Sequence, residues 1–150
     1  RSVSRGLGDV YKRQPHEDFV ENPRPWVDYL RPHLVPVIQE IHQELGFDTL
    51  KVHKIWFQQY ETESIHGWHM HTDAQWTSVY YLDLPDSSPR TEILNPFTQN
   101  DIQTLEIKEG DVVMFPSYVI HQAPRNKGVD TKTIISWNSD ADIRPGYEVQ

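Results

Sequence analysis

The feature that most restricts this chain is a change of hydrophobic period at Gly46. Before it, from Trp26 to Leu45, apolar residues recur at helical spacing: Val27, Leu30, Leu34, Val37, Ile38, Ile41 and Leu45. Pro32 and Pro36 argue for two pieces, a short helix and then a longer one over roughly 34–45, and Gly46 is a natural stop. After it the period becomes two. "LKVHKIWFQQY", "GWHMH", "WTSVYYLDL", "TEILNPF", "IQTLEIK", "DVVMFP" and "KTIISWN" each read as a short strand, with turns at "PDSSP" and Glu109-Gly110. Helices followed by about seven short strands predict a mainly β fold, a sandwich or barrel of antiparallel strands under N-terminal helical cover.

A length of 150 residues suits one domain. The cysteine count is zero, which excludes disulfides, thiolate zinc sites and a cysteine nucleophile, and fits a reducing compartment such as the cytoplasm. No apolar run approaches the ~20 residues of a membrane span. The net charge is -8. The opening "RSVSRGLGDVYKRQ" sets Arg1, Arg5, Lys12 and Arg13 against Asp9, so the rest is more acidic still and makes a poor nucleic-acid binder. Residues 1–14 read as a foreign or disordered lead, and the native N-terminus is expected outside this sequence. Residues 15–150 read as a single domain, with 15–25 as a polar lead-in.

"HGWHMHTDAQW", residues 66–76, gathers His66, His69, His71 and Asp73. On a strand, His69, His71 and Asp73 share a face, but the outer two lie ~13 Å apart, too far for one ion. Neighbouring same-face positions are about 6–7 Å apart and suit one metal, so the pair is His69 with His71 or His71 with Asp73. The third ligand must come from elsewhere. In "EGDVVMFPSYVIH" a turn, an apolar strand and a proline-serine break lead to His121, aimed at a barrel interior. His71, Asp73 and His121 would form a two-histidine, one-carboxylate set, an arrangement diagnostic of non-haem Fe(II) oxygenases. His16, His33, His42 and His53 read as surface residues. In "DTKTIISWN", Lys132 shares a face with Ile134, Ser136 and Asn138, and a lysine facing the interior needs an anionic partner such as a dicarboxylate.

The order "HTD", "SVYYLD", "EGDVVMFPSYVIH", "KTIISWN", over roughly residues 50–138, resembles the 2-oxoglutarate and Fe(II)-dependent dioxygenases, in particular their small microbial and phage-type members. The resemblance implies a double-stranded β-helix, or jelly roll. It implies Fe(II) held by His71, Asp73 and His121, with 2-oxoglutarate as co-substrate and O2 as oxidant. It assigns the far carboxylate of 2-oxoglutarate to Lys132, where arginine is more usual, with Tyr60 as its companion and Tyr80 or Tyr81 as substitutes. Related members often carry H-x-H without the aspartate. His71 with Asp73 is preferred here because a carboxylate keeps the site near neutral, and His69 then stands behind the ligands or on the substrate side. The implied reaction is hydroxylation of a peptide, amino acid or small metabolite coupled to oxidative decarboxylation of 2-oxoglutarate. The alternatives are a cupin-type metal enzyme or a non-catalytic jelly-roll binding module. Tyr118, Arg125, Gln75 and Trp76 break the cupin pattern. Trp68, Trp76, Tyr80, Tyr118 and Trp137 are candidate pocket aromatics.

Overall fold

The computed structural model describes residues 12–13 and 24–143. The proposed foreign lead therefore lies mostly outside the described residues, as does His16. Two residues of that lead, Lys12–Arg13, form a short strand β1.

One helix, α1 (Pro25–Leu45), replaces the two expected. Pro25 occupies its first turn, where a missing N–H costs nothing. Pro32 and Pro36 stay inside the helix because both are exposed, one turn apart. The carbonyls they leave without an intrahelical donor face water, so the helix tolerates them. Gly46 ends it in the left-handed conformation (φ 70°), its N–H donating to the carbonyl oxygens of Gln43 and His42.

Eight further strands follow: β2 (Phe47–Tyr60), β3 (His66–His69), β4 (Trp76–Asp83), β5 (Glu92–Leu94), β6 (Ile102–Thr104), β7 (Val112–Pro116), β8 (His121–Ala123) and β9 (Lys132–Ile143). All seven expected strands are present, and β8 is an addition. They form two antiparallel sheets, a larger one ordered β1-β2-β9-β4-β7 and a smaller one ordered β3-β8-β5-β6. This is the double-stranded β-helix, mainly β with one N-terminal helix. The helix covers the outer face of the larger sheet, where Trp26 meets Phe57 edge to face at 5.7 Å and Arg24 donates to the Ile55 carbonyl. Between the sheets, Tyr60, Val79, Tyr81, Phe115, Val119 and Ile134 form the core. Burying side chains of this size stabilises by about 1.5–3 kcal/mol each.

Registers decide what faces the interior. Lys54 pairs with Asn138, Trp56 with Ser136, Gln58 with Ile134 and Tyr60 with Lys132. A one-residue shift lies between Val52 and Lys54. His53 is the extra residue, drawn to Asp140 at 2.6 Å, while Lys54 keeps the inward parity of Trp56, Gln58 and Tyr60. A second shift, between His66 and His69, puts both histidines on one face although they are three residues apart.

Candidate metal centre and its cavity

The two sheets enclose a cavity of about 280 Å³. One wall is the inward row of the larger sheet: Lys54, Trp56, Gln58 and Tyr60 from β2, Ile134, Ser136 and Asn138 from β9, and Thr77 and Val79 from β4. The opposite wall carries His66, His69, His71 and His121. The inward parity expected of Lys132, Ile134, Ser136 and Asn138 holds.

Three histidines converge there. One ring nitrogen from each of His69, His71 and His121 lies within 4.8 Å of the other two. His69 and His121 are direct cross-strand partners on β3 and β8, with ring centroids 4.2 Å apart. His121 reaches this place because Pro116 ends β7 and the turn after it carries the chain into the smaller sheet. That turn is pinned by Ser117, whose N–H donates to the Gln75 carbonyl and whose hydroxyl meets Thr77 Oγ1 at 2.9 Å. His71 lies past the end of β3, where the chain bends, and its N–H donates to the Ser117 carbonyl. Its ring lies 6.0 Å from that of Trp56, the two inclined by 26°.

The donor chemistry fits a metal. His69 Nδ1 lies 2.8 Å from the Gly67 carbonyl, and His121 Nδ1 lies 2.8 Å from the Val119 carbonyl. A carbonyl only accepts, so both Nδ1 atoms carry hydrogen and, in the neutral rings, Nε2 keeps its lone pair for an ion. Burial, reinforced by His69 and His71 nearby, pushes the His121 imidazole down to about 3, so it is neutral and ligand-ready at physiological pH.

Asp73 stands outside the three-histidine group. Its Oδ2 accepts an ion-pair hydrogen bond from Lys54 Nζ, and its Oδ1 accepts from Asn138 Nδ2 at 3.2 Å. The Lys54 hydrogen bond holds its carboxyl below the usual range. The chain bends after β3, so the strand parity that aligned His69, His71 and Asp73 does not extend to Asp73. Asn138 Oδ1 is buried without a hydrogen-bond partner among the described residues.

Lys132 and Tyr60 are cross-strand partners at the end of the same row, with Nζ 5.4 Å from the Tyr60 ring centroid and 5.8 Å from that of Tyr81. Lys132 is 1% exposed. Its Nζ donates to the Pro89 carbonyl at 3.0 Å, and among the described residues no carboxylate lies within ion-pair distance. Burial, aided by the neighbouring Arg90 charge, pushes it down to about 8. The Tyr60 hydroxyl donates to Gln58 Oε1 at 3.3 Å, and Gln58 Nε2 lies 3.3 Å from His66 Nδ1. Tyr81, the suggested substitute for Tyr60, is buried and shares a 2.7 Å hydrogen bond with Thr91; burial pushes its phenol up to about 12.

Lys54, Trp56 and Gln58 were not singled out from sequence. The two-residue alternation back from Tyr60 runs through all three and was the available signal. None of the five expected aromatics borders the cavity. Trp76 and Tyr118 line a separate groove, and Trp137 is buried elsewhere.

Solved structures with this fold include a non-haem α-ketoglutarate-dependent epimerase from nogalamycin biosynthesis, at 14% identity and a TM-score of 0.67 over 96% of this chain and 72% of that one. The viral collagen prolyl hydroxylase of Paramecium Bursaria Chlorella virus-1 matches at 13% identity and a TM-score of 0.60, over 91% of this chain and 81% of that one. The chain spans 47% of an oxidoreductase of the 2OG-Fe(II) oxygenase family from Burkholderia pseudomallei, matched over 66% of this chain at 12% identity and a TM-score of 0.58. No curated protein matches significantly. No helix among the described residues is long and apolar enough to cross a membrane. The sequence profile of the 2OG-Fe(II) oxygenases matches residues 54–138, the span that carries every residue of the cavity wall. This chain belongs to the 2OG-Fe(II) oxygenase family, whose members use Fe(II), 2-oxoglutarate and O2.

Proposed function

We propose that the cavity is the active site of an oxygenase that couples oxidative decarboxylation of 2-oxoglutarate to hydroxylation of a small molecule or a peptide side chain. The observation that carries this reading is the convergence of His69, His71 and His121 in one cavity, with Lys132 buried beside its Tyr60 wall and, among the described residues, without a carboxylate in ion-pair distance.

His69, His71 and His121 hold the metal through ring nitrogens. The Gly67 and Val119 carbonyls orient two of those rings. Three neutral imidazoles leave the full charge of Fe(II) uncompensated, which favours a dicarboxylate co-substrate. The Lys132 ammonium receives the far carboxylate of 2-oxoglutarate, and Tyr60, beside it, donates its hydroxyl to the same group. A single ammonium supplies charge without the bidentate fork of an arginine. Bound Fe(II) supplies the open coordination positions and the redox chemistry that the histidines lack. Trp56, beside His71, keeps water from that face of the site.

The ligand set that the sequence resemblance implies, His71, Asp73 and His121, differs by one residue. Asp73 would have to leave both Lys54 and Asn138 to join it, so the three-histidine set is preferred. Membership of the oxygenase family favours this reaction over the cupin-type enzyme and the non-catalytic module. The test is anaerobic addition of Fe(II) and 2-oxoglutarate to the purified protein. A weak visible charge-transfer band is expected, followed by succinate release on admission of air. No band at saturating 2-oxoglutarate would rule the reading out.

A further inference from the structure

The rim of the cavity opposite Lys132 carries one pair of opposite charges, Lys54 and Asp73. Every other polar side chain of the lining is a histidine, an amide or a hydroxyl. We infer that Lys54 and Asp73 are the substrate-reading residues, and that the substrate is a small zwitterion of the amino-acid type. Its carboxylate takes Lys54 and its ammonium takes Asp73. This deepens the oxygenase reading of the same cavity and rests on it.

The charges argue for it first. A site lined by one cation and one anion matches a ligand bearing one of each. A dianion or a dication leaves one member of the pair facing a like charge. Lys54 and Asp73 are 34% and 48% exposed, so the pair opens at modest cost, since such half-exposed pairs contribute only about 0–1 kcal/mol. A zwitterion then replaces one ion pair by two.

Volume argues the same way. The cavity, about 280 Å³, lies just below the ~300–1,000 Å³ of ordinary ligand pockets, which suits a small ligand. Asn138 adds an acceptor. Its amide nitrogen holds Asp73 Oδ1, while its buried Oδ1 has no partner among the described residues. When Asp73 turns to an ammonium, the amide is released and its oxygen can meet a second N–H of the same group. Strand register places Lys54 on the cavity face directly opposite Asn138.

The experiment is anaerobic calorimetry on the full chain loaded with Fe(II) and 2-oxoglutarate, with the charge-transfer band as proof of loading. The probes are the twenty common L-amino acids, each with its methyl ester and its N-acetyl derivative. At least one free amino acid should bind, with both derivatives weaker by about 10- to 100-fold, the loss expected for a charge-assisted hydrogen bond. Lys54→Met should abolish the preference over the ester and keep that over the N-acetyl form. Asp73→Asn should do the reverse. The inference fails if no amino acid binds to protein that shows the band, if the derivatives bind as well as the parent, or if either variant leaves both preferences intact. An Asp73→Asn protein that no longer takes up Fe(II) would make Asp73 a metal ligand and overturn the inference, whereas absence of the band in the unaltered protein would overturn the oxygenase-site reading on which the inference rests.

Discussion

Lys54 and Lys132 stand on the same inward face of the larger sheet, one on β2 and one on β9, yet their surroundings are opposite. Lys54 is one-third exposed and already holds a carboxylate. Lys132 is buried beside Tyr60 and Tyr81, near a second cation, and among the described residues its ammonium donates to a single carbonyl, that of Pro89. A buried ammonium in that state costs free energy unless an anion joins it. The contrast separates two environments: the buried lysine is the place where the proposed function puts a carboxylate, and the half-exposed one is the rim partner that the proposed substrate exchanges. Between them sit the histidines.

The largest expected effect falls between the two lysines. His121→Ala removes one of the three proposed ligands and should weaken Fe(II) binding by at least about 100-fold, more than the 10–100-fold typical of losing a supporting hydrogen bond. Metal content after dialysis measures it, and retained iron would remove His121 from the ligand set.

Next comes the substitution that should break the contrast. Lys132→Met removes the uncompensated charge, so the melting temperature of the metal-free protein should rise while 2-oxoglutarate binding falls by about 10- to 100-fold. A melting temperature that falls instead would mean Lys132 has a stabilising partner in the free protein.

Titration sharpens the same point. Lys132 is depressed to about 8, from an ordinary value of 10.5. The folded protein therefore loses this proton before the unfolded chain does, and stability should rise with pH between about 8 and 10.5. Affinity for 2-oxoglutarate should fall over the same pH range, as the ammonium becomes neutral. Lys132→Arg should bind 2-oxoglutarate with no such decline. His121 acts the same way at the acid end. With a folded value near 3 against 6.5 unfolded, it makes the metal-free protein lose stability as pH falls through that window, and His121→Ala should flatten the curve there.

The smallest expected effect is that of Asp73→Asn on iron. With three histidines as ligands, Fe(II) affinity should change by less than about threefold, because a half-exposed pair is worth about 0–1 kcal/mol. A loss comparable to that of His121→Ala would restore the His71, Asp73, His121 set.

Much of this site was legible in residue order. Strand parity put Lys132, Ile134, Ser136 and Asn138 on one face, and the proline-serine break before His121 marked a re-aimed chain. Both hold because they depend on the fixed two-residue repeat of a strand and on a proline that cannot continue one. Parity failed where the backbone left the ladder. The bulge in β3 turned His66 and His69 to one side, and the bend after it separated Asp73 from His71's neighbours. The helix was misjudged for a related reason: a proline's cost depends on whether the freed carbonyl meets water, and that depends on which face is buried.

Residue order alone carried the fold class, the oxygenase resemblance and an inward lysine, because spacing and residue chemistry suffice for these. Only the tertiary structure decided that His69 joins His71 and His121 while Asp73 goes to Lys54. Cross-strand registers and single-residue bulges set which side chains meet, and those depend on strands brought together from 50 or more residues away.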